Sequence, residues 1–207
     1  MKIWKKYSNY LSSGEWHIHT NYVDGNNSID EYCKKASELG IPLIAFTEHV
    51  RRNLSYDFNK YIEDIEAARK KYDLIILSGC EAKVLPGGIL DVDDNILETV
   101  DYGIFAFHSF PHDLDVYLNS LYKIIKDPRM NTWAHPGLYL RKAGLLLHED
   151  ELIQLFNTIK KYDVLIERNS KYDAPSMEWL NVANKYEMGV VRGSDCHSLD
   201  ELHKANY

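Results

Sequence analysis

Cysteine is scarce in this chain. Cys33, Cys80 and Cys196 are odd in number, widely spaced and form no CxxC pair. They read as reduced thiols of a cytoplasmic protein. Positive charge is also in the minority, with 24 Lys and Arg against 31 Asp and Glu and a net charge of −7. That balance argues against a sequence-independent nucleic-acid binder, which needs a basic face. No apolar run approaches the roughly 20 residues of a membrane span. None of signal-peptide length follows the basic start "MKIWKKYSNYLSSGEW". Gly-rich phosphate loops of the GxGxxG or GxxxxGK[ST] type are missing, which excludes the common nucleotide-binding folds that use them. Internal repeats, low-complexity tracts and linker-like stretches are missing too. The expectation is one domain over residues 1–207, in the cytoplasm and off the membrane.

The composition is otherwise that of a globular protein, 45% apolar and 27% charged. Short apolar runs recur at 16–19, 42–47, 74–78, 102–107, 132–134, 164–166 and 189–191. Between most of them lie polar segments with helical spacing. Ser28 stands three residues before Glu31 in a capping-box pattern, opening a helix that stops at Gly40. Residues 58–72, 113–126, 150–162 and 176–186 read as amphipathic helices. Residues 85–94, rich in Gly and Asp, read as a loop or small hairpin. Seven strand-like runs alternating with helices predict an α/β protein with a parallel sheet and right-handed crossovers. A closed or nearly closed barrel and an open doubly wound sheet both satisfy the pattern.

Polar residues gather where these strands end. His17 and His19 lie two apart on the first run and share a face. Glu48 and His49 end the second run, Glu81 follows the third, His108 closes the fourth and His135 the fifth. Asp195 and His197 follow the seventh, in "GSDCHS". Each has an ordinary explanation when taken singly: a half-exposed strand histidine, a turn at Asp24-Gly25, a helix cap at Asp195. Jointly, six of the nine histidines and two carboxylates fall at one end of nearly every strand. In an α/β barrel that end is the rim where active sites are built. Burying so many ionisable groups together is costly without cations to pair them. A metal cluster is the expected resolution.

The motifs "HIHT", the following Asp24-Gly25, "TEH", "GCE", "FAFHS", "AHPG" and "GSDCHS" resemble, in this order, those of the PHP (polymerase and histidinol phosphatase) family. The resemblance spans His17 to His197. It implies a distorted (β/α)7 TIM-like barrel with a trinuclear metal site at the C-terminal ends of the strands. His17, His19, Glu81 and Asp195 would hold the first metal. Glu81 would bridge to a second, completed by His108 and His135. His49, His197 and Asp24 would hold the third. The donors suit zinc, manganese and iron alike.

Three features depart from the family pattern. "NYVDG" replaces the more usual "xxSDG", Glu48 stands where many relatives have Asp, and Glu167-Arg168-Asn169 places Arg168 at a variable position of a Glu-x-Asn motif. Only nine residues follow Ser198, so the last helix is expected to be stunted, with the barrel partly open or covered by another subunit.

The implied activity is hydrolysis of phosphate esters by a hydroxide bridging cations about 3.5–4 Å apart. Asp195 would accept the water's proton, and His197 or a metal-bound water would supply the leaving group's. Arg51, Arg52, Arg168 and Lys171 are the candidate phosphate clamps. The leading expectation is a small-molecule phosphomonoesterase of the histidinol-phosphatase type, acting on a small phosphorylated substrate rather than nucleic acid, with room left for an oligomer. The alternatives are a nuclease or cyclic phosphodiesterase, and a non-catalytic metal-bound binding module. His112 could reach the mouth of the site, whereas His148 and His203 read as surface residues.

Overall fold

A computed structural model describes residues 1–205. In chain order the elements are α1 (Ile3–Lys6), β1 (Glu15–Ile18), α2 (Ile29–Leu39), β2 (Leu43–Val50), α3 (Phe58–Lys71), β3 (Ile75–Leu85), β4 (Ile89–Leu90) and α4 (Asp94–Thr99). There follow β5 (Tyr102–Ala106), α5 (Leu114–Ile124), β6 (Met130–Trp133), α6 (Leu138–Ala143), α7 (Glu149–Lys161), β7 (Leu165–Asn169), α8 (Met177–Lys185) and β8 (Val190–Gly193). The strand order is β1-β2-β3-β5-β6-β7-β8, every neighbouring pair is parallel, and β4 folds back antiparallel on β3. The seven parallel strands form a nearly closed barrel, which settles the choice left open against a doubly wound sheet.

Closure is made by backbone rather than by a full ladder. Cys196 bridges Ile18: the amide of His19 donates to the Cys196 carbonyl at 2.8 Å, and the Cys196 amide donates to His17 at 3.1 Å. Below that bridge, buried Glu15 accepts from the Ser194 amide at 2.7 Å and lies 3.1 Å from the Arg192 guanidinium. Among the described residues beyond Ser198 the chain forms only a 3-10 turn, Leu199–Glu201, in place of a last helix.

Strand alternation sorts the core. Leu43, Ala45, Leu77, Tyr102, Ile104, Ala106, Leu165 and Val191 form one cluster that fills the barrel. Their neighbours face the helices. Ile44 and Phe46 pack with Tyr32, Ala36, Tyr61 and Ile65. Phe105, Trp133 and Ile166 pack with Tyr117, Leu121, Leu155 and Phe156. Continuing the inward series upward leads from Ala45 to His49, from Leu77 to Glu81, from Ala106 to His108, from Leu165 to Glu167 and from Val191 to Asp195. The apolar plug therefore supports a polar layer at the C-terminal strand ends.

Local signals explain the helix boundaries. The capping box at α2 forms as its spacing predicts, with Ser28 accepting from the Glu31 amide and Gly40 in the left-handed region at φ 66°. Asp57, Asp113 and Ser176 cap α3, α5 and α8 in the same way. The 85–94 segment contains the β3–β4 hairpin. Among the described residues no helix is long and apolar enough to cross a membrane.

Candidate metal centre

Glu81 is the hub of the polar layer. Its carboxylate is 1% exposed and faces histidines from several strands. Oε1 lies 3.0 Å from His135 Nε2 and 3.3 Å from His108 Nε2. Oε2 lies 2.9 Å from His49 Nδ1, 3.5 Å from His19 Nε2 and 3.7 Å from His17 Nε2. Asp195 comes from the other end of the chain, with Oδ1 3.1 Å from His19 Nε2 and 3.6 Å from His17 Nε2. Asp24 Oδ2 stands 3.5 Å from both His49 Nε2 and His197 Nε2. Ligand-capable atoms thus fall into three groups: His17, His19 and Asp195; His49, Glu81 and His108; and His19, Asp24, His49 and His197. His135 joins through Glu81 rather than as a member of a group.

Backbone geometry brings two of these residues into place. Ala134 packs with the barrel interior, so strict alternation would send His135 outward. Its φ of 32° turns it back over the rim. Asp195 also sits in the left-handed region, at φ 52°. Such conformations cost a non-glycine residue energy and concentrate at functional sites. Asp24 is carried by a loop that folds back on β1, where the Gly25 amide donates to Thr20 at 2.9 Å. A Cβ at Gly25 would stand 2.6 Å from the His19 carbonyl carbon, so this approach requires glycine.

The electrostatics are those of ionised carboxylates packed among histidines. Burial alone would raise the Glu81 carboxyl, yet hydrogen bonding and charge from His108, with further bonds from His135 and His17, hold it well below its ordinary value. Burial likewise opposes ionisation of Asp195, and His17 and His19 overcome it. Burial pulls His19 down to about 4 against the opposing pull of Asp195. His49 behaves the other way: burial disfavours its charge, but Asp24 and Glu81 lift it to about 10. A hydrogen bond from His49, working against partial burial, lowers Asp24 to about 2. His19 Nδ1 and His49 Nδ1 are buried without a hydrogen-bond partner, although carboxylates lie nearby. Unpartnered imidazole nitrogens beside ionised carboxylates are a donor set that suits divalent cations.

A 190 Å³ cavity opens over this layer, lined by Asp24, His49, His108, His135, Asp195 and His197 together with Tyr139, Lys142 and Tyr172. Lys171 reaches it from behind, with Nζ 2.9 Å from His197 Nδ1 and 3.1 Å from the Asp195 carbonyl. The arginines lie elsewhere. Arg168 lines a separate 520 Å³ cavity with Leu11 and Met177. Arg51 donates to the Val50 carbonyl and lies 3.8 Å from Asp91, to which the Arg52 amide also turns. His112 bonds the Ala143 carbonyl, and His148 and His203 are exposed.

Two features escaped the sequence reading. Lys142 belongs to α6, whose six residues are too few to show a helical period. It stacks over the Tyr172 ring at 5.4 Å, and Lys171 lies 5.8 Å from the same ring. Glu167 was legible as part of a Glu-x-Asn motif but not as a partner of the site. It is 2% exposed, with Oε1 2.6 Å from His17 Nδ1.

Comparison with known proteins identifies the family and agrees with the fold. A model of the PHP domain family matches residues 15–198. The DNA polymerase/3'-5' exonuclease PolX of Bacillus subtilis is 28% identical over 201 residues, which are 91% of this chain but 35% of PolX. The chain thus spans about a third of the length of that relative. A protein of Caldicellulosiruptor saccharolyticus described as a "probable phosphatase" is 25% identical over 202 residues, 91% of this chain and 81% of its own length. Among solved structures, hisK of Listeria monocytogenes, provisionally described as a histidinol phosphatase, superposes with a TM-score of 0.67 at 16% identity. That match covers 92% of this chain and 96% of hisK, and it speaks for the fold.

Proposed function

The chain belongs to the PHP domain family, and from that premise we propose that it is a metal-dependent phosphomonoesterase acting on a small phosphorylated substrate. The observation that carries the proposal is the Glu81 hub, with five histidines against one buried carboxylate and three ligand groups around it. His17, His19, Asp24, His49, Glu81, His108, His135, Asp195 and His197 would hold three divalent ions of zinc, manganese or iron. When bound, such ions activate water at neutral pH and neutralise charge on phosphoryl oxygens.

The protein's own groups do the rest. Lys142, in the cavity lining, and Lys171, behind it, flank Tyr172 and attract the phosphoryl dianion. Burial and the charge of Asp195 push the Tyr172 phenol up to about 12, so it stays neutral and able to donate a hydrogen bond. Asp195 meets His17, His19 and His197 through Oδ1, which leaves Oδ2 to take the proton of the attacking water. The water oxygen bonds to phosphorus and the ester P–O bond breaks. His197 would be a cation ligand and its Nδ1 is engaged by Lys171 and the Asp195 carbonyl, so the departing alkoxide takes its proton from solvent at the open cavity. The products are an alcohol and inorganic phosphate. The small cavity favours a compact ester, and the paired lysines favour a monoester over a singly charged diester.

A second reading, phosphodiester cleavage at a nucleic-acid end, draws on the similarity to PolX. One experiment separates the two. The chain is loaded with Mn²⁺ or Zn²⁺ and assayed on p-nitrophenyl phosphate, bis(p-nitrophenyl) phosphate and single-stranded oligonucleotide. Preference for the monoester is expected. Preference for the diester or oligonucleotide would replace the first reading with the second, and inactivity of a chain containing bound metal would leave only a binding module.

A further inference from the structure

Glu167 lies beneath the metal centre, and every recorded partner of its carboxylate is a hydrogen-bond donor or a ring nitrogen able to become one. Oε1 meets His17 Nδ1 at 2.6 Å. Oε2 accepts from the His135 backbone amide and from Asn169 Nδ2 at 3.1 Å. One buried carboxylate on β7 thus braces the side chain of one candidate ligand, on β1, and the backbone of another, just after β6.

The fold gives up a side chain to admit it. Gly193 ends β8 opposite Asn169 in the ladder with β7. A Cβ there would stand 2.8 Å from Glu167 Cδ and 3.0 Å from Cγ, and would meet Oε1 closer still. Residue 193 is glycine because the Glu167 carboxylate occupies the space of its side chain. The same strand end then supplies Asp195.

We propose that Glu167 is the positioning residue of the metal centre. It holds His17 with the proton on Nδ1, so that the Nε2 lone pair faces Glu81, His19 and Asp195, and Gly193 is the space that makes this hold possible. The inference rests on the metal-centre reading above. In a metal-ligating histidine the nitrogen away from the cation almost always donates to a carboxylate, carbonyl or water, and that bond sets which nitrogen carries the proton. Oε1 fixes that choice for His17. The role also demands a carboxylate: three donors converge on two oxygens, and an amide accepts at one end only. In Glu167→Gln the amide oxygen is drawn to the two donors at His135 and Asn169. Its NH₂ then faces His17, which must carry its proton on Nε2 and lose its place as a ligand.

The test uses the full chain. Zn²⁺ binding is measured by titration for the wild type, E167Q and G193A, and the His17 ring is followed by ¹⁵N NMR in the zinc-loaded protein. Expected are a Nδ1–H signal for His17 in the wild type, zinc affinity lowered by about 10–100-fold in E167Q, and a loss in G193A although its Glu167 is intact. Wild-type His17 protonated on Nε2, or bound through Nδ1, would overturn the proposal. So would E167Q with undiminished affinity. Should E167Q fail to fold, the wild-type ring and G193A still decide. A wild-type chain that binds no zinc or manganese removes the metal reading itself, a result distinct from bound metal that is indifferent to residue 167.

Discussion

His49 Nδ1 lies 2.9 Å from Glu81 Oε2, so the carboxylate that meets His108 and His135 through one oxygen meets His49 through the other. Glu81 is thereby shared among histidines that belong to different ligand groups. Glu81→Ala should lower metal content across the cluster rather than at one position, and reduce phosphatase turnover by more than about a hundredfold, beyond the range seen for outer partners of a metal ligand. Elemental analysis beside the rate would check it. Full metal content in the variant would contradict the shared role.

Glu48 sets a pH dependence of the metal-free chain. Burial raises its carboxyl from 4.5 to about 7, opposed by hydrogen bonds from Thr20. Its folded value lies above its unfolded one, so the stability it contributes is complete below pH 4.5 and is lost as pH rises through about 7. Chelator-treated protein should therefore lose on the order of 3 kcal/mol from this group across that window. Glu48→Gln should remove that part of the slope. Urea unfolding at several pH values measures it.

Lys142 should act on substrate capture and not on metal. Lys142→Met is expected to raise KM for a phosphomonoester about fivefold, the scale of an exposed charge interaction, with kcat and metal content near wild type. The effect should shrink with added salt. Steady-state kinetics at two ionic strengths decide the matter.

Ser28 offers a control remote from the chemistry. Its hydroxyl accepts from the Glu31 amide at the start of α2. Ser28→Ala should cost about 1 kcal/mol of stability and leave metal content unchanged. Thermal unfolding with elemental analysis tests both halves.

Much of this was legible in the sequence because alternation carries direction. His17 and His19 share a face by spacing alone, and the strand-end carboxylates follow apolar runs that mark the barrel interior. The same rule, applied along β7, leaves Arg168 exposed between buried Glu167 and Asn169, and Arg168 lines a cavity separate from the candidate site. What resisted reading was long-range. β3 continues to Leu85 although Gly79, Glu81 and Lys83 interrupt its apolar run, because the barrel buries Glu81 for its partners. The turn of His135 depends on a backbone angle that no residue preference announces. Nothing in the sequence marks Gly193, and its reason is a carboxylate on the neighbouring strand.

The bridge between Ile18 and Cys196 also has a kinetic meaning. Cys196 sits between Asp195 and His197, and the nearby contact of Glu15 with Ser194 joins positions 179 apart in the chain. Contacts of such separation carry the largest loop-closure penalty and slow folding. Docking β8 against β1 is therefore expected to be a late event. That event completes the proposed ligand set, so a chain stalled before it would hold an almost finished barrel and a candidate metal centre without Asp195. Divalent cations present during refolding should then speed or secure this last step, acting as a fastener between the two ends of the sheet.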